Sequence, residues 1–206
     1  NAPAGQAMQQ QGDPDSAAAP DQTPEVSVVA PCYNEQEVLG EFHRRVKAML
    51  QRLGISHEIV LVDDGSTDRT WQLMGELARR DPAMVLVKLS RNHGQQLALT
   101  AGLSVCRGRR VLILDADLQD PPEVLPQMME IMDGGADIVY GQRRRRAGET
   151  VFKRDTSALF YRFINRLSDT RISEDTGDFR LVSRRALDVF LSMPEQHRFV
   201  RGMFSW

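Results

Sequence analysis

The sequence predicts an α/β domain: a mostly parallel central sheet flanked by helices, with a basic amphipathic extension at its C-terminal end. Three observations predict it. From Val26 to Tyr140, apolar runs of strand length alternate with segments of helical period. Hydrophobic residues make up 41% of 206, enough for one sizeable core, and with only 6% aromatics that core is aliphatic. Most of these strand-like runs end in turn or acidic residues, as parallel strands that feed crossover helices do.

Residues 1–25 carry four of the ten prolines, five Gln, six Ala and no periodicity. They are expected to form a disordered tail. Val26–Ala30 is the first expected strand. Gln36–Leu53 is a helix with Val38, Phe42, Val46, Met49 and Leu53 on one face; Asn34 is placed to cap it, with Glu37 three residues on. His57–Val62 is a strand ending at Asp63-Asp64-Gly65, and Thr70–Arg80 a helix with Trp71, Met74 and Leu77 inward. Met84–Leu89, Gln95–Val105 and Arg110–Leu114 continue the alternation as strand, helix and strand. Pro121-Pro122 opens a helix through Met132 that Gly134-Gly135 closes, and Ala136–Tyr140 is the fifth strand. Beyond Gly141 the pattern gives a basic loop at Arg143–Arg146 and an amphipathic helix at Phe152–Leu167. A short strand within Glu174–Ser183 and a helix at Arg184–Leu191 follow. The apolar stretch Phe199–Trp206, next to the basic third, is expected to lie against an anionic bilayer.

The net charge of −2 conceals an uneven distribution. Residues 26–140 hold 12 basic and 16 acidic groups, whereas residues 141–206 hold 14 basic and 8 acidic. A basic surface of this kind meets phosphates or is a solvated face. Two cysteines, Cys32 and Cys106, exclude a disulfide scaffold, a cysteine zinc ribbon and an iron–sulfur cluster. There is no Gly-x-Gly-x-x-Gly after the first strand and no Gly-x-x-x-x-Gly-Lys-Ser/Thr, which argues against a dinucleotide site and a P-loop NTPase. The four histidines lack zinc spacing, and His93 sits at a strand-to-helix turn, where a ligand contact and a surface or capping role are both open.

In an open parallel sheet, ligands bind at the carboxyl ends of the strands. Three of those ends are acidic here: Glu35 after the first, Asp63-Asp64 after the second, and Asp115-Ala116-Asp117 after the fourth. Carboxylates crowded on one edge repel each other unless a cation or donor groups compensate. A hard divalent cation, Mg²⁺ or Mn²⁺, is the economical solution.

The segments Val28-Val29-Ala30-Pro31-Cys32-Tyr33-Asn34-Glu35, Val62-Asp63-Asp64-Gly65-Ser66-Thr67-Asp68 and Asp115-Ala116-Asp117-Leu118-Gln119-Asp120-Pro121-Pro122 resemble those of family 2 inverting glycosyltransferases. Ser90-Arg91-Asn92-x-Gly94 and Asp175-Thr176-Gly177-Asp178-Phe179-Arg180-Leu181 narrow the resemblance to the polyprenyl-phosphate glycosyltransferases, such as dolichol-phosphate mannose synthase and the bacterial undecaprenyl-phosphate sugar transferases. The resemblance implies a GT-A fold and transfer of one sugar, with inversion, from a nucleotide-sugar, expected to be a UDP-sugar, to a polyprenyl phosphate. It places the chain at the cytoplasmic face of the plasma membrane with no nucleic-acid partner, leaves a homo-oligomer open, and implies that the 26–206 catalytic domain continues into membrane helices. Carried over by position, Pro31, Tyr33 and Glu35 line the nucleoside pocket and Asp63, with Asp64 beside it, faces the base or ribose. Asp115, Ala116 and Asp117 meet the donor diphosphate, where Asp115 and Asp117 hold the metal with Gln119 close by. Arg143, Arg146, Lys153 and Arg180 are the candidates to hold the acceptor phosphate. Asp175 and Asp178 are each placed to orient the acceptor, to serve as base, or to pair with Arg180; Glu174-Asp175 resembles the family's acidic pair near the acceptor, which favours Asp175.

Two other readings compete. A processive polysaccharide synthase carries Gln-x-x-Arg-Trp after the acidic pair, and this sequence has none. A non-catalytic nucleotide-sugar-binding protein has no need to keep Asp115, Asp117 and Asp175 together.

Overall fold

A computed structural model describes residues 23–142, 176–195 and 200–205. Six strands form one sheet in the order β3-β2-β1-β4-β6-β5. They are β1 (Val26–Cys32), β2 (His57–Asp63), β3 (Met84–Lys88), β4 (Arg110–Ile113), β5 (Ile138–Gln142) and β6 (Thr176–Ser183). The helices are α1 (Leu39–Leu53), α2 (Thr70–Ala78), α3 (Gln95–Val105), α4 (Leu125–Asp133), α5 (Arg184–Ser192) and α6 (Val200–Ser205), with a 3₁₀ turn at Pro122–Val124 before α4.

β1 pairs parallel with β2 and β4, and β2 with β3. These strands are covered on both faces, so the inner ones are almost continuously apolar rather than alternating. One face carries α1, α2 and α4, packed through Phe42, Leu50, Met74 and Met128 onto Val28, Ile59 and Leu112. The other carries α3, α5 and α6, packed through Leu99, Phe190 and Phe204 onto Val29, Val60 and Ile113. α3 lies so close to the sheet that a Cβ on Gly102 would come within 2.6 Å of Val29 and 2.9 Å of Val62. Only glycine permits that approach, and it brings the first turn of α3 down to the carboxyl edge of β1 and β4.

The expected parallel run of five strands holds in direction but not in adjacency. β6 inserts between β4 and β5 and runs antiparallel to both. The apolar run Phe179, Leu181 and Val182 is buried on both faces and so claims an interior place in the sheet.

Three local expectations change. Asn34 does not cap the first helix: it takes φ 57°, its side-chain oxygen accepts the Thr67 amide at 2.9 Å, and α1 begins only at Leu39. Its carboxamide is committed to the neighbouring loop, so no side chain caps α1. The proline pair opens a 3₁₀ turn before the helix proper. The apolar C-terminal stretch is not free to meet a bilayer across its described part: Val200 and Phe204 are buried, and Phe204 stacks on Phe190 with ring centroids 4.5 Å apart. The expected tail over residues 1–22, the loop at Arg143–Arg146 and the helix at Phe152–Leu167 lie outside the described residues.

Some of the basic C-terminal third is used within the fold. Arg184 donates to the carbonyls of Cys106 and Gly108, and Arg185 pairs with Asp137. Phe204→Ala should therefore lower unfolding free energy by about 3–5 kcal/mol, the usual cost of emptying an aromatic core site. Urea denaturation without any lipid measures it; an unchanged midpoint would return Phe204 to the surface.

Candidate active site

The carboxyl edge of the sheet opens into a cleft of about 280 Å³. Its walls come from the loops after β1, β3 and β4 and from the end of β2. Pro31, Cys32, Tyr33, Glu35, Asp64, Asp115, Ala116 and Asp117 line it, all of them singled out by the motifs. Asn92, Gly94 and Gln95 complete it.

The β1 and β2 loops are laced together. The amides of Asn34, Glu35 and Gln36 donate to the side chains of Ser66, Thr70 and Asp68, and the Arg69 amide returns a bond to Gln36. This lattice fixes the backbone on either side of Tyr33, which stands 45% exposed at the mouth of the cleft. An aromatic face held at a pocket rim suits stacking with a planar ring.

The two aspartates of the second motif divide their roles. Asp63 is fully buried and accepts the Ser66 amide at 3.2 Å, which departs from the expectation that it faces the base or ribose. Asp64 reaches the cleft, and its two oxygens accept the amides of His93 and Gly94 at 2.7 and 2.8 Å. Of the two roles left open for His93, its backbone amide is thus used to fasten the loop. Gly65, at φ 69°, lets the β2 loop lie against this segment; a Cβ there would fall 2.4 Å from the Arg91 carbonyl carbon. Asp64 thereby fastens the loop that leads into α3.

Asp115 is where negative charge concentrates. Its carboxyl is pushed up to about 6, first by burial and then by Asp178, Asp117 and Asp120, with a hydrogen bond from Gln95 acting in the opposite sense. Burial, then Asp117 and Asp68, also raises Glu35. Burial first, then Glu35, Asp63 and Asp115, suppresses ionisation of the Cys32 thiol, which serves as a small apolar wall. The Gln119 amide donates to Asp117 at 3.0 Å, and between them Leu118 holds φ 64°. Asn34 and Leu118 are the non-glycine residues with positive φ among the described residues, and both adjoin the cleft.

β6 supplies the remaining acid. Asp178 is buried, 1% exposed, and Gln95 Nε2 donates both to its Oδ2 at 3.2 Å and to Asp115 Oδ1 at 2.7 Å. Arg180 departs from the expectation of an open phosphate clamp. Its guanidinium is enclosed between the rings of Tyr140 and Phe204, 5.3 and 5.4 Å from their centroids, and turns back to the Asp178 carbonyl and carboxylate. The reason is strand alternation: Arg180 points to the face covered by α6, where aromatic rings accept a cation. Asp175, Arg143, Arg146 and Lys153 lie outside the described residues.

The motif reading overlooked Gln95 and Gln96. Their only sequence signal was position, directly after Ser90-Arg91-Asn92-x-Gly94 at the start of a helix. Among the described residues, no three His, Cys, Asp or Glu side chains are grouped to enclose a metal ion by themselves.

Comparisons with known proteins define the family and the fold. Residues 27–191 match glycosyl transferase family 2, and the chain belongs to that family. It is 41% identical over 180 residues, 87% of its length, to YkcC of Bacillus subtilis, named as an uncharacterized glycosyltransferase, covering 56% of that protein. It is 38% identical over 181 residues to the prophage bactoprenol glucosyl transferase homolog of Escherichia coli K12, covering 88% of this chain and 59% of that one. The chain thus spans somewhat over half the length of these relatives. Its fold is that of the GT-A glycosyltransferases. Staphylococcus aureus TarS 1–349 superposes with a TM-score of 0.59 at 20% identity, over 87% of this chain and 53% of that one. A mannosyltransferase from Pyrobaculum calidifontis, solved with GDP-Man and Mn²⁺, gives 0.57 at 23% identity, over 85% and 49%.

The crowding at Asp115 has a measurable consequence. Its pKa is higher folded than unfolded, so the unfolded chain releases this proton first and stability falls as pH rises from about 4 to about 6. Asp115→Asn removes that penalty. At pH 7.5, without divalent ions, the variant should be about 1–2 kcal/mol more stable than the parent, a figure reduced for partial solvent screening, and the gap should close toward pH 4. Chemical denaturation across that range tests it; a variant less stable at pH 7.5 would contradict the repulsion.

Proposed function

We propose that this chain is the catalytic domain of an enzyme that transfers one sugar, with inversion, from a nucleotide-sugar to a polyprenyl phosphate. The observation that carries the reading is the single cleft joining the Tyr33–Glu35 rim to the Asp115–Asp117 pair, in a family 2 chain whose relatives include bactoprenol glucosyl transferases.

In this reading the nucleoside lies against Tyr33, beside Glu35 and Asp64, and the diphosphate lies toward Asp115 and Asp117. A carboxyl held up near 6 by its neighbours marks negative charge short of a counter-charge, which fits a bound cation. Asp115 and Asp117, with Gln119 alongside, would hold Mg²⁺ or Mn²⁺ through their oxygens. A cation held there would offset the negative charge that develops on the leaving diphosphate.

The acceptor needs little activation. A phosphate monoester has its second pKa near ~6 and is largely dianionic at neutral pH. One of its oxygens forms the new bond to the anomeric carbon as the bond from that carbon to the nucleoside diphosphate breaks; no proton has to be removed from the nucleophile. The protein's task is to align two polyanions. Asp178 orients the acceptor side, Arg180 acts through Asp178, and Arg143, Arg146 and Lys153 supply charge to the acceptor phosphate, with Asp175 as a further acceptor-side acid. A polyprenyl carrier places the reaction at a membrane surface, on the cytoplasmic side where nucleotide-sugars are available. No helix among the described residues is long and apolar enough to cross a membrane.

The test uses the full-length protein that carries this chain, in membranes supplied with undecaprenyl phosphate, Mn²⁺ and a panel of labelled nucleotide-sugars. One donor should yield an organic-soluble lipid bearing one sugar, with equimolar release of nucleoside diphosphate. Asp117→Ala should reduce transfer at least 100-fold without shifting the melting temperature by more than about 3 °C. Labelled polymer instead of lipid would replace this reading with a processive synthase; donor binding without turnover would replace it with a sensor.

A further inference from the structure

α3 begins with two glutamines whose side chains turn into the acidic site. Gln95 spends both amide hydrogens on carboxylates, Asp115 at 2.7 Å and Asp178 at 3.2 Å. Gln96 makes a second approach to Asp178 Oδ2, at 3.4 Å, while its side-chain oxygen accepts the Val200 amide at 3.0 Å. These bonds fix the orientation of both amides, since only an NH₂ group can face a carboxylate and only an oxygen can face an N–H. Together they connect three elements distant in sequence: the loop after β4, strand β6 and the first residue of α6.

We propose that Gln95 and Gln96 are positioning residues for glycosyl transfer. Gln95 sets the separation between the donor-side carboxylate Asp115 and the acceptor-side carboxylate Asp178. Gln96 ties Asp178 to the amino end of α6. The assignment of donor and acceptor sides rests on the function proposed above; the hydrogen-bonded bridge does not.

The chemistry favours an amide in this place. Two carboxylates that share one edge need donors between them. A lysine there would compete with a divalent ion for Asp115, and a carboxylic side chain would add to the repulsion. A carboxamide donates to both without carrying charge. Asp64 holds Gly94 and Arg91 packs against Gly65, so the backbone that presents Gln95 is itself fixed from β2. The bridge is short: one end stands on β6 and the other two residues beyond the end of β4. The tether through Gln96 has a different character. It ends on a backbone amide at the first turn of a six-residue helix that is also held by the packing of Val200 and Phe204 and by the Tyr140 hydroxyl, which donates to the Phe204 carbonyl at 3.3 Å. A displacement of α6 would be felt at Asp178.

Three variants of the full-length protein separate these roles. Gln95→Met keeps the volume and removes both donors. It should lower kcat about 10- to 100-fold, the range for lost hydrogen bonds to charged groups, while the dissociation constant for the nucleotide-sugar changes less than 3-fold. Gln96→Met should lower kcat and also speed hydrogen exchange at the Val200 amide at least 10-fold. Gln96→Glu keeps an acceptor for Val200 but replaces the donor to Asp178 with a repelling charge; it should lower kcat and leave Val200 exchange near the parent's. A Gln95→Met protein that loses donor affinity and kcat by the same factor makes Gln95 a donor contact and overturns the proposal, as does one with unchanged kcat. Unchanged Val200 exchange in Gln96→Met overturns the tether. That exchange measurement needs no turnover, so it decides the tether even if the parent transfers no sugar, an outcome that would defeat the proposed function separately.

Discussion

The placement of β6 is the constraint on which the site depends. Entering the sheet between β4 and β5, it pairs Arg180 with Ile113 on one side and with Tyr140 on the other. Because β6 runs antiparallel to β4, continuing that register by two residues sets Asp178 across from Asp115. A parallel strand in the same slot would carry its acids to the opposite edge. One reversal of direction therefore brings together two carboxylates that lie 63 residues apart in the chain.

That meeting is unfavourable on its own. Two like charges, one of them 1% exposed, sit beside Asp117 and Asp120, and Asp115 responds by holding its proton to about pH 6. The fold answers with donors. Gln95 reaches both acids, and Arg180 approaches Asp178 from the aromatic compartment formed by Tyr140 and Phe204. A buried pair of this kind stabilises little beyond an apolar pair of equal volume, but losing one partner strands the other. Asp178 and Arg180 are thus bound to each other's presence, and the orientation of Asp178 follows from the packing of α6 and β5.

The rest of the edge is organised to hold these acids in place. Asp64 uses both carboxylate oxygens on backbone amides, the Asn34 carboxamide serves the β2 loop rather than a helix, and Gly65 permits two loops to touch. Each of these residues spends its polar or conformational capacity on joining loops to one another. At the Tyr33 rim the cleft is cross-linked by hydrogen bonds between the β1 and β2 loops. On the side of α6 the described links are the Gln96 bond to the Val200 amide, the Tyr140 hydroxyl donating to the Phe204 carbonyl, and the Phe204 ring against Arg180 and Phe190.

Much of the fold could be read from periodicity alone. Strands β1 to β5 and helices α1 to α4 emerge within a few residues of their expected ends, because covered parallel strands are apolar throughout and helices repeat every 3.6 residues. The cleft side chains of the first, second and fourth strand ends were also legible, since residues following a parallel strand must lie at its carboxyl edge. What the linear chain could not show was where β6 would go, because pairing direction and neighbours are settled by which slot buries Phe179, Leu181 and Val182 on both faces. From that placement follow the enclosure of Arg180, the approach of Asp178 to Asp115 and the use of Gln95 and Gln96 as a bridge. The apolar C-terminal stretch raised the same difficulty. Hydrophobicity signals that Val200 and Phe204 must leave water, but only the tertiary packing against Phe190 of α5 and its neighbours decided that protein covers them.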